Sequence, residues 1–206
     1  MIRVSWALIA ATILMAPSTY TASAQGGAAQ PAAQKPAAAP AQKSAGAGPI
    51  LVIETVKGAI EIETYPTEAP KTVAHIVALA KRNFYNGLRI HRVEPGFVVQ
   101  FGDPLTRDMT KRTLWGTGGS GRAIGAAEMS PKRLHRLGSV AMAHSGDPAK
   151  ADSQMYIMLR SSAGALDGKY TVFGQVISGM DVVQKLCGPP GCSAVPDVIR
   201  RVTVKP

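Results

Sequence analysis

Residues 91–103 read His-Arg-Val-Glu-Pro-Gly-Phe-Val-Val-Gln-Phe-Gly-Asp, and no other part of the chain says as much about its structure. The Pro-Gly pair predicts a turn between two short apolar strands, because both residues favour turn geometry. These strands carry Arg92, Phe97 and Gln100. An arginine stays protonated in proteins and does not act as a base. The three side chains are therefore poorly suited to breaking bonds. They are well suited to gripping a proline ring and polarising the amide bond before it.

Strand-like and helix-like patterns continue on both sides of this stretch. Residues 50–53 and 59–63 flank Lys57-Gly58, which predicts a β-hairpin with one face in water. A helix begins near Pro70, and its apolar residues recur at helical spacing until Asn83. Further strands are predicted at 88–93, 97–101, 139–143, 154–159, 171–177 and 198–204, and a short helix at 179–186. Many short strands with two helices favour a closed, capped antiparallel barrel, although the pattern alone does not separate it from an open α+β sheet.

The first 48 residues do not share this pattern. A positive charge at Arg3, an apolar run at 4–16 and small residues at 22–24 form the layout of a secretory signal peptide, residues 1–24. The apolar run is shorter than the roughly 20 residues that cross a bilayer, so we expect cleavage and no stable membrane insertion; an uncleaved anchor is the alternative. Residues 25–48 are rich in Ala and Pro and predict a disordered linker. Residues 49–206 then form one exported domain, periplasmic in a Gram-negative cell and otherwise secreted.

The charge and the cysteines narrow the classes of function. The formal net charge is +10, but the basic residues are scattered and are not interleaved with aromatic residues, so we expect no nucleic-acid partner. Cys187 and Cys192 are the only cysteines. In an exported protein a local disulfide is the natural interpretation. Free thiols remain open, as does a redox or metal site, although the spacing is not Cys-x-x-Cys and no further metal ligands are evident nearby.

Four segments of the domain resemble the cyclophilin family of peptidyl-prolyl isomerases, in the family's order and at similar spacing. They are residues 91–103, 116–119, 140–145 with 153–157, and 166–176. Residues 131–135 look most like those of bacterial single-domain members. The resemblance implies a mainly β fold, a closed eight-stranded antiparallel barrel capped by two α-helices.

The resemblance also implies roles for individual residues. Arg92 stands at the family's catalytic arginine, His91 is the histidine beside it, and Gln100 matches the glutamine that hydrogen-bonds the substrate backbone. Phe97 matches the aromatic floor of the proline pocket. The implied substrate-binding positions are Phe97, Val98, Met142, Ala143, His144, Gln154, Tyr156, Leu166 and Tyr170.

Some of these positions depart from the usual pattern. His144 replaces an asparagine whose backbone the family uses to hold the substrate strand. Ala165 and Tyr170 stand where many eukaryotic members carry tryptophan and histidine. Ala165 should open the rim of the pocket. This puts tight binding of cyclosporin-type ligands in doubt more than it does the isomerase activity.

The resulting expectation is an isomerase that accelerates X-Pro exchange during the folding of exported proteins. Arg92 would donate to the prolyl nitrogen in an apolar pocket, and no proton need move, so His91 need not be an acid or a base. The partners are proline-containing polypeptides, no cofactor or metal is needed, and we expect a monomer.

Three other functions compete with the isomerase. A hydrolase built on Ser145, His144 and Asp147 is disfavoured, because residues so close in sequence rarely converge as a triad. Residues 116–121 lack the Gly-Lys-Ser/Thr ending of a phosphate loop and are interpreted as a turn that lines the substrate groove. The serious alternative is a non-catalytic chaperone or adaptor that holds proline-containing segments on the same fold.

Overall fold

The computed structural model describes residues 48–161, 164–192 and 195–206. The predicted signal peptide and all but the last residue of the predicted linker lie outside these residues. The strands are β1 (Ile50–Thr55), β2 (Gly58–Thr64), β3 (Arg92–Glu94), β4 (Val98–Phe101), β5 (Ser139–Met142), β6 (Met155–Met158), β7 (Val172–Ser178) and β8 (Ile199–Lys205). The α-helices are α1 (Pro70–Lys81) and α2 (Met180–Val183). Short 3₁₀ turns occur at Pro104–Arg107, Met109–Leu114 and Pro148–Lys150.

The eight strands form one antiparallel sheet in the order β3-β4-β6-β5-β7-β2-β1-β8. The mainly β, eight-stranded prediction is confirmed. The prediction of a closed barrel is wrong, because the sheet is a curled half-barrel whose end strands β3 and β8 form no ladder with each other in the described part of the chain. The segments before these two strands meet through an isolated bridge between Arg89 and Val198.

The loop from Cys187 to Cys192 explains why β8 does not pair with β3. The two cysteines are joined as a disulfide. The Val93 amide donates to the Pro189 carbonyl at 2.8 Å, and the Gly191 amide donates to the Val93 carbonyl at 3.1 Å. The loop therefore occupies the outer edge of β3, which a closed barrel would need for β8, and satisfies its backbone groups.

Helix α1 covers part of the sheet and begins with a cap from a distant residue. Pro70 lies in its first turn, where a missing N–H is tolerated, and Val73, Ile76 and Leu79 are buried. The Glu128 carboxylate accepts hydrogen bonds from the backbone amides of Lys71 and Thr72, at 3.0 and 2.9 Å. A carboxylate at a helix N-terminus satisfies free amides and interacts favourably with the helix dipole. The second predicted helix, α2, is a single turn.

Two groups of buried apolar residues fill the fold. The larger lies between the sheet and α1 and includes Ile62, Phe101, Met142 and Phe173. The smaller consists of Val98, Ala141, Tyr156, Met158 and Val172, with Phe97, Ala143, Leu166 and Tyr170 packed against it. Because neighbouring residues of a strand point to opposite faces, β4, β5 and β6 contribute to both clusters. The smaller cluster forms the floor of a surface pocket.

Candidate active site

The strand register brings the predicted site residues into one row. Arg92 lies opposite Gln100, Gln100 opposite Tyr156, and Tyr156 opposite Ala141, across β3, β4, β6 and β5. Directly opposed residues of antiparallel strands share a face of the sheet. Val98 lies two residues before Gln100 and so points to the same face. The row therefore has the cationic side chain of Arg92 at one end and the buried residues Tyr156 and Ala141 at the other, across four neighbouring strands.

This face forms one wall of a pocket of about 260 Å³. The lining residues are Arg92, Phe97, Val98, Gln100, Ala143, His144, Tyr156, Leu166 and Tyr170. All of them were predicted from the sequence. An apolar floor with a few polar groups at its edge is the usual character of a ligand site. The pocket can therefore hold a small apolar ring with a charged donor beside it.

A chain of side-chain hydrogen bonds positions the polar edge. One terminal nitrogen of Arg92 donates to Gln100 Oε1 at 3.3 Å, and Arg92 Nε donates to Glu94 Oε1 at 3.4 Å. Gln100 Nε2 donates to Gln154 Oε1 at 3.0 Å. The side chain of Arg92 remains 43% exposed. The guanidinium is thus oriented by its neighbours but free to donate to a ligand.

The glycine-rich loop at 116–119 completes this edge, and a buried carboxylate holds it. Gln154 Nε2 donates to the carbonyls of Gly116 and Gly118 at 2.9 and 2.8 Å. Asp103, two residues after β4, is fully buried and accepts from the amides of Leu105, Gly116 and Gly118. A Cβ on Gly118 would lie 2.3 Å from Asp103 Oδ1, so glycine is required there. The predicted groove-lining role of this loop agrees with its position.

A second pocket of about 420 Å³ adjoins the first along Gln100, Ala143 and His144. Its remaining wall includes Gln154 and the glycine-rich loop, together with Lys150 and Asp152. The Asp152 carboxylate fixes the loop by accepting from Ser120 Oγ and from the Gly121 amide, and His75 Nε2 lies 3.4 Å from it. Lys150 and Asp152 were not predicted as site residues. No local pattern marks them, because they reach the groove from a 3₁₀ turn and the segment after it.

Two predicted residues lie behind the pocket and do not line it. Met142 is buried in the larger core cluster, because it follows Ala141 on β5 and points to the other face. His91 is 8% exposed, and neither ring nitrogen has a hydrogen-bond partner within the described residues. Burial lowers the pKa of His91 from 6.5 to about 4, although nearby Asp103 and Gln154 act in the opposite direction. The imidazole of His91 is therefore neutral at physiological pH and lies outside the pocket lining.

The apolar wall is built from aromatic rings. The ring centroids of Tyr156 and Tyr170 lie 5.8 Å apart in an edge-to-face arrangement, and those of His144 and Tyr170 lie 4.4 Å apart. His144 Nε2 donates to the Lys169 carbonyl at 2.9 Å. Burial raises the pKa of Tyr156 well above its usual value, so its hydroxyl keeps its proton. Ala165 is exposed beside this wall and adds little bulk to the rim.

His135 is a further residue that sequence reasoning did not place at the site. Its buried ring contacts the hydroxyl of Tyr156 from behind the pocket. Within the described residues no group of three or more His, Cys, Asp or Glu side chains could hold a metal ion. The same part of the chain contains no helix long and apolar enough to cross a membrane.

Comparisons with known proteins agree with this geometry. The family described as "Cyclophilin type peptidyl-prolyl cis-trans isomerase/CLD" matches residues 50–204. A probable peptidyl-prolyl cis-trans isomerase of Brucella abortus is 38% identical over 162 residues, which cover 75% of this chain and 82% of that protein. A solved cyclophilin-type isomerase of Cryptosporidium parvum has a TM-score of 0.66 and 25% identity, over 78% of this chain and 98% of the other. A second structure of that protein, determined in the presence of the dipeptide Ala-Pro, has a TM-score of 0.65 and 26% identity, over 76% and 99% of the two chains.

Proposed function

The chain belongs to the cyclophilin family of peptidyl-prolyl cis-trans isomerases, and on this basis we propose that Arg92 catalyses the isomerisation of X-Pro bonds by donating to the prolyl nitrogen. The enzyme class follows from the family. The observation that carries the mechanism is the row from Arg92 through Gln100 to Tyr156, which sets a charged donor beside an apolar pocket.

The chemistry of the X-Pro bond explains why such a donor is useful. The cis and trans forms differ by about 1 kcal/mol but are separated by a barrier of roughly 18–20 kcal/mol, because rotation removes amide resonance. In the twisted state the prolyl nitrogen regains its lone pair. A fixed donor aimed at that lone pair binds the twisted state better than either planar state, which is the requirement for catalysis.

The magnitudes decide how much Arg92 has to supply. Uncatalysed exchange takes about 10–100 s. An isomerase that accelerates this exchange by about five orders of magnitude has to lower the barrier by roughly 7 kcal/mol. A charge-assisted donor in a site with little water supplies about 3 kcal/mol. The remainder has to come from holding the proline ring over Phe97 and from fixing the flanking carbonyl through Gln100.

No proton transfer is needed in this mechanism. The guanidinium stays protonated throughout. Because the pKa of His91 is lowered to about 4, its ring is neutral at physiological pH and does not act as an acid or a base. Catalysis in this mechanism therefore depends on how the substrate is positioned and on the permanent charge of Arg92.

The biological role that we propose is assistance to the folding of exported proteins. The signal-peptide pattern of residues 1–24 supports export, and the protein would be periplasmic in a Gram-negative cell. A disulfide between Cys187 and Cys192 is compatible with an oxidising compartment. We expect a monomer whose substrates are proline-containing polypeptides. The related Cryptosporidium protein whose structure was determined in the presence of Ala-Pro supports this substrate class.

A refolding experiment separates a catalyst from a protein that only holds its clients. The client is an unfolded protein whose slow refolding phase is limited by proline isomerisation and lasts about 10–100 s. It is refolded in the presence of the isomerase at about one hundredth of its concentration. We expect the slow phase to accelerate in proportion to the isomerase added. Acceleration that needs equimolar protein, or a slow phase that merely loses amplitude, would instead indicate a stoichiometric chaperone.

A further inference from the structure

A buried histidine lies directly behind the pocket that receives the proline. His135 precedes β5, and its side chain is wholly buried. Its Nδ1 lies 2.8 Å from Asp167 Oδ1, and its Nε2 lies 2.9 Å from the hydroxyl of Tyr156. The backbone amide of His135 also donates to Asp167 Oδ1, at 2.7 Å. Both ring nitrogens are therefore partnered, in contrast to those of His91.

The partners indicate which nitrogen of this ring carries a proton. A carboxylate only accepts hydrogen bonds, so Nδ1 of His135 carries the proton that faces Asp167. The backbone amide of His135 is the largest cause that lowers the pKa of Asp167, and this keeps the carboxyl group ionised. In the tautomer with the proton on Nδ1, Nε2 is an acceptor, and the hydroxyl of Tyr156 donates to it. The chain of donors runs from Tyr156 through His135 to Asp167.

The two ends of this chain belong to two different parts of the pocket wall. Tyr156 comes from β6 and forms part of the floor. Asp167 lies in the turn at 164–170, between the wall residues Leu166 and Tyr170. Within that turn the amides of Asp167 and Lys169 donate to carbonyls of the turn itself. His135 therefore connects this turn to Tyr156 on β6.

We propose that His135 is a positioning residue, which fixes Tyr156 and the turn at 164–170 in the spacing that fits a proline ring. This inference rests on the proposed function, because it concerns the pocket used by the isomerase. The ring of the substrate stays in the pocket in both the planar and the twisted states. Loss of the connection therefore weakens binding of both states, which raises KM and leaves kcat nearly unchanged.

A series of variants tests this assignment. In His135→Leu both hydrogen bonds are lost, and KM for an X-Pro peptide rises by about tenfold while kcat stays within about twofold. His135→Asn keeps a donor near Asp167, and His135→Gln keeps an acceptor near Tyr156. Each of these two is expected to recover part of the loss, with KM raised by about threefold. Thr64→Val is the matched control, because it removes a hydrogen bond from a buried side chain to the Pro49 carbonyl, and neither residue lines the pocket.

A double-variant cycle separates a direct connection from general destabilisation. Tyr156→Phe removes the hydroxyl but keeps the ring, and alone it raises KM by about threefold. In the His135→Leu background the same change should add nothing, since the bond is already lost. An equal factor in both backgrounds would overturn the proposal. So would a KM in His135→Leu that is no higher than in Thr64→Val.

The imidazole signals of His135 give a readout that does not depend on activity. In ¹⁵N-labelled wild-type protein we expect a slowly exchanging Nδ1–H, because Nδ1 faces the Asp167 carboxylate in a buried ring. A ring without a proton on Nδ1 would contradict the assignment. If the wild-type protein binds an X-Pro peptide but does not catalyse exchange, the proposed function fails. The dissociation constants of the same variants then still test whether His135 shapes the pocket.

Discussion

The two sides of the groove are built differently. The polar wall consists of Arg92, Gln100 and Gln154, whose side chains are partly exposed. Arg92 is hydrogen-bonded to Gln100, and Gln100 is hydrogen-bonded to Gln154. The apolar wall consists of Phe97, Val98, Tyr156, Leu166 and Tyr170, which pack as a cluster. Each wall is supported from behind by a buried polar group, Asp103 for the polar wall and His135 for the apolar wall.

The supports differ in what they hold. Asp103 accepts from three backbone amides and so fixes a loop. His135 hydrogen-bonds the side chains of Tyr156 and Asp167, and so fixes the distance between two parts of the apolar wall. Loss of the first should affect the fold itself, whereas loss of the second should affect mainly the fit of the ligand. This difference ranks the expected effects of substitution.

The largest effect is expected at the support of the polar wall. Asp103→Ala leaves the amides of Leu105, Gly116 and Gly118 without their acceptor, which should lower the free energy of unfolding by about 4 kcal/mol. Denaturant unfolding measures the loss. Asp108→Ala is the control, because that exposed carboxylate also accepts from a backbone amide but should matter far less. Equal losses in the two variants would show that Asp103 is not a special support.

The next effect concerns His91, a buried histidine beside Arg92. Its pKa is 6.5 in the unfolded chain and about 4 in the folded protein, so the unfolded chain binds the proton more tightly. The stability that this difference contributes is fully present above pH 6.5 and is lost as the pH falls toward 4; it amounts to roughly 3 kcal/mol.

The leucine variant of His91 removes this titration. We expect urea unfolding at about pH 7 and about pH 4.5 to show a smaller loss of stability in His91→Leu than in the wild type. Isomerase activity should be nearly flat between about pH 6 and 8, because the His91 ring is neutral there. An equal loss of stability in both proteins, or a steep change of activity near pH 6.5, would contradict this account of His91.

A smaller effect is expected at Phe97 in the apolar wall. Phe97→Ala removes the aromatic surface under the proline ring, which should weaken binding of an X-Pro peptide by about 2 kcal/mol, or roughly thirtyfold. Peptide titration followed by NMR measures the dissociation constant. Phe84→Ala removes a partly buried phenylalanine outside the groove. The account is wrong at this residue if the two variants bind the peptide equally well.

Arg92 and Gln100 of the polar wall could be predicted from sequence because their geometry is local. Residues 91–103 form two strands joined by one turn, and this register alone brings Arg92 opposite Gln100. The floor residues Val98 and Tyr156 followed from a resemblance that covers whole segments. The side chain of Met142 lies in the larger core cluster, because alternation along β5 turns it away from the pocket.

The supports could not be predicted in this way. His135 and Tyr156 are 21 residues apart, and Glu128 caps α1 across 57 residues, so no local pattern relates them. The closed barrel was predicted wrongly for a similar reason. Only the folded chain shows that the loop at 187–192 takes the edge of β3 that closure requires.

The central claim is that the charge of Arg92 lowers the barrier to X-Pro rotation. Exchange spectroscopy on a short X-Pro peptide, with no coupling protease, measures the catalysed rate for the wild type, Arg92→Lys and Arg92→Ala. We predict that the alanine variant loses about a hundredfold in rate while retaining peptide binding, and that the lysine variant falls between the two, since it keeps the charge but not the planar donor. An alanine variant within about threefold of the wild-type rate would contradict the account, because a lost charge-assisted donor is worth far more.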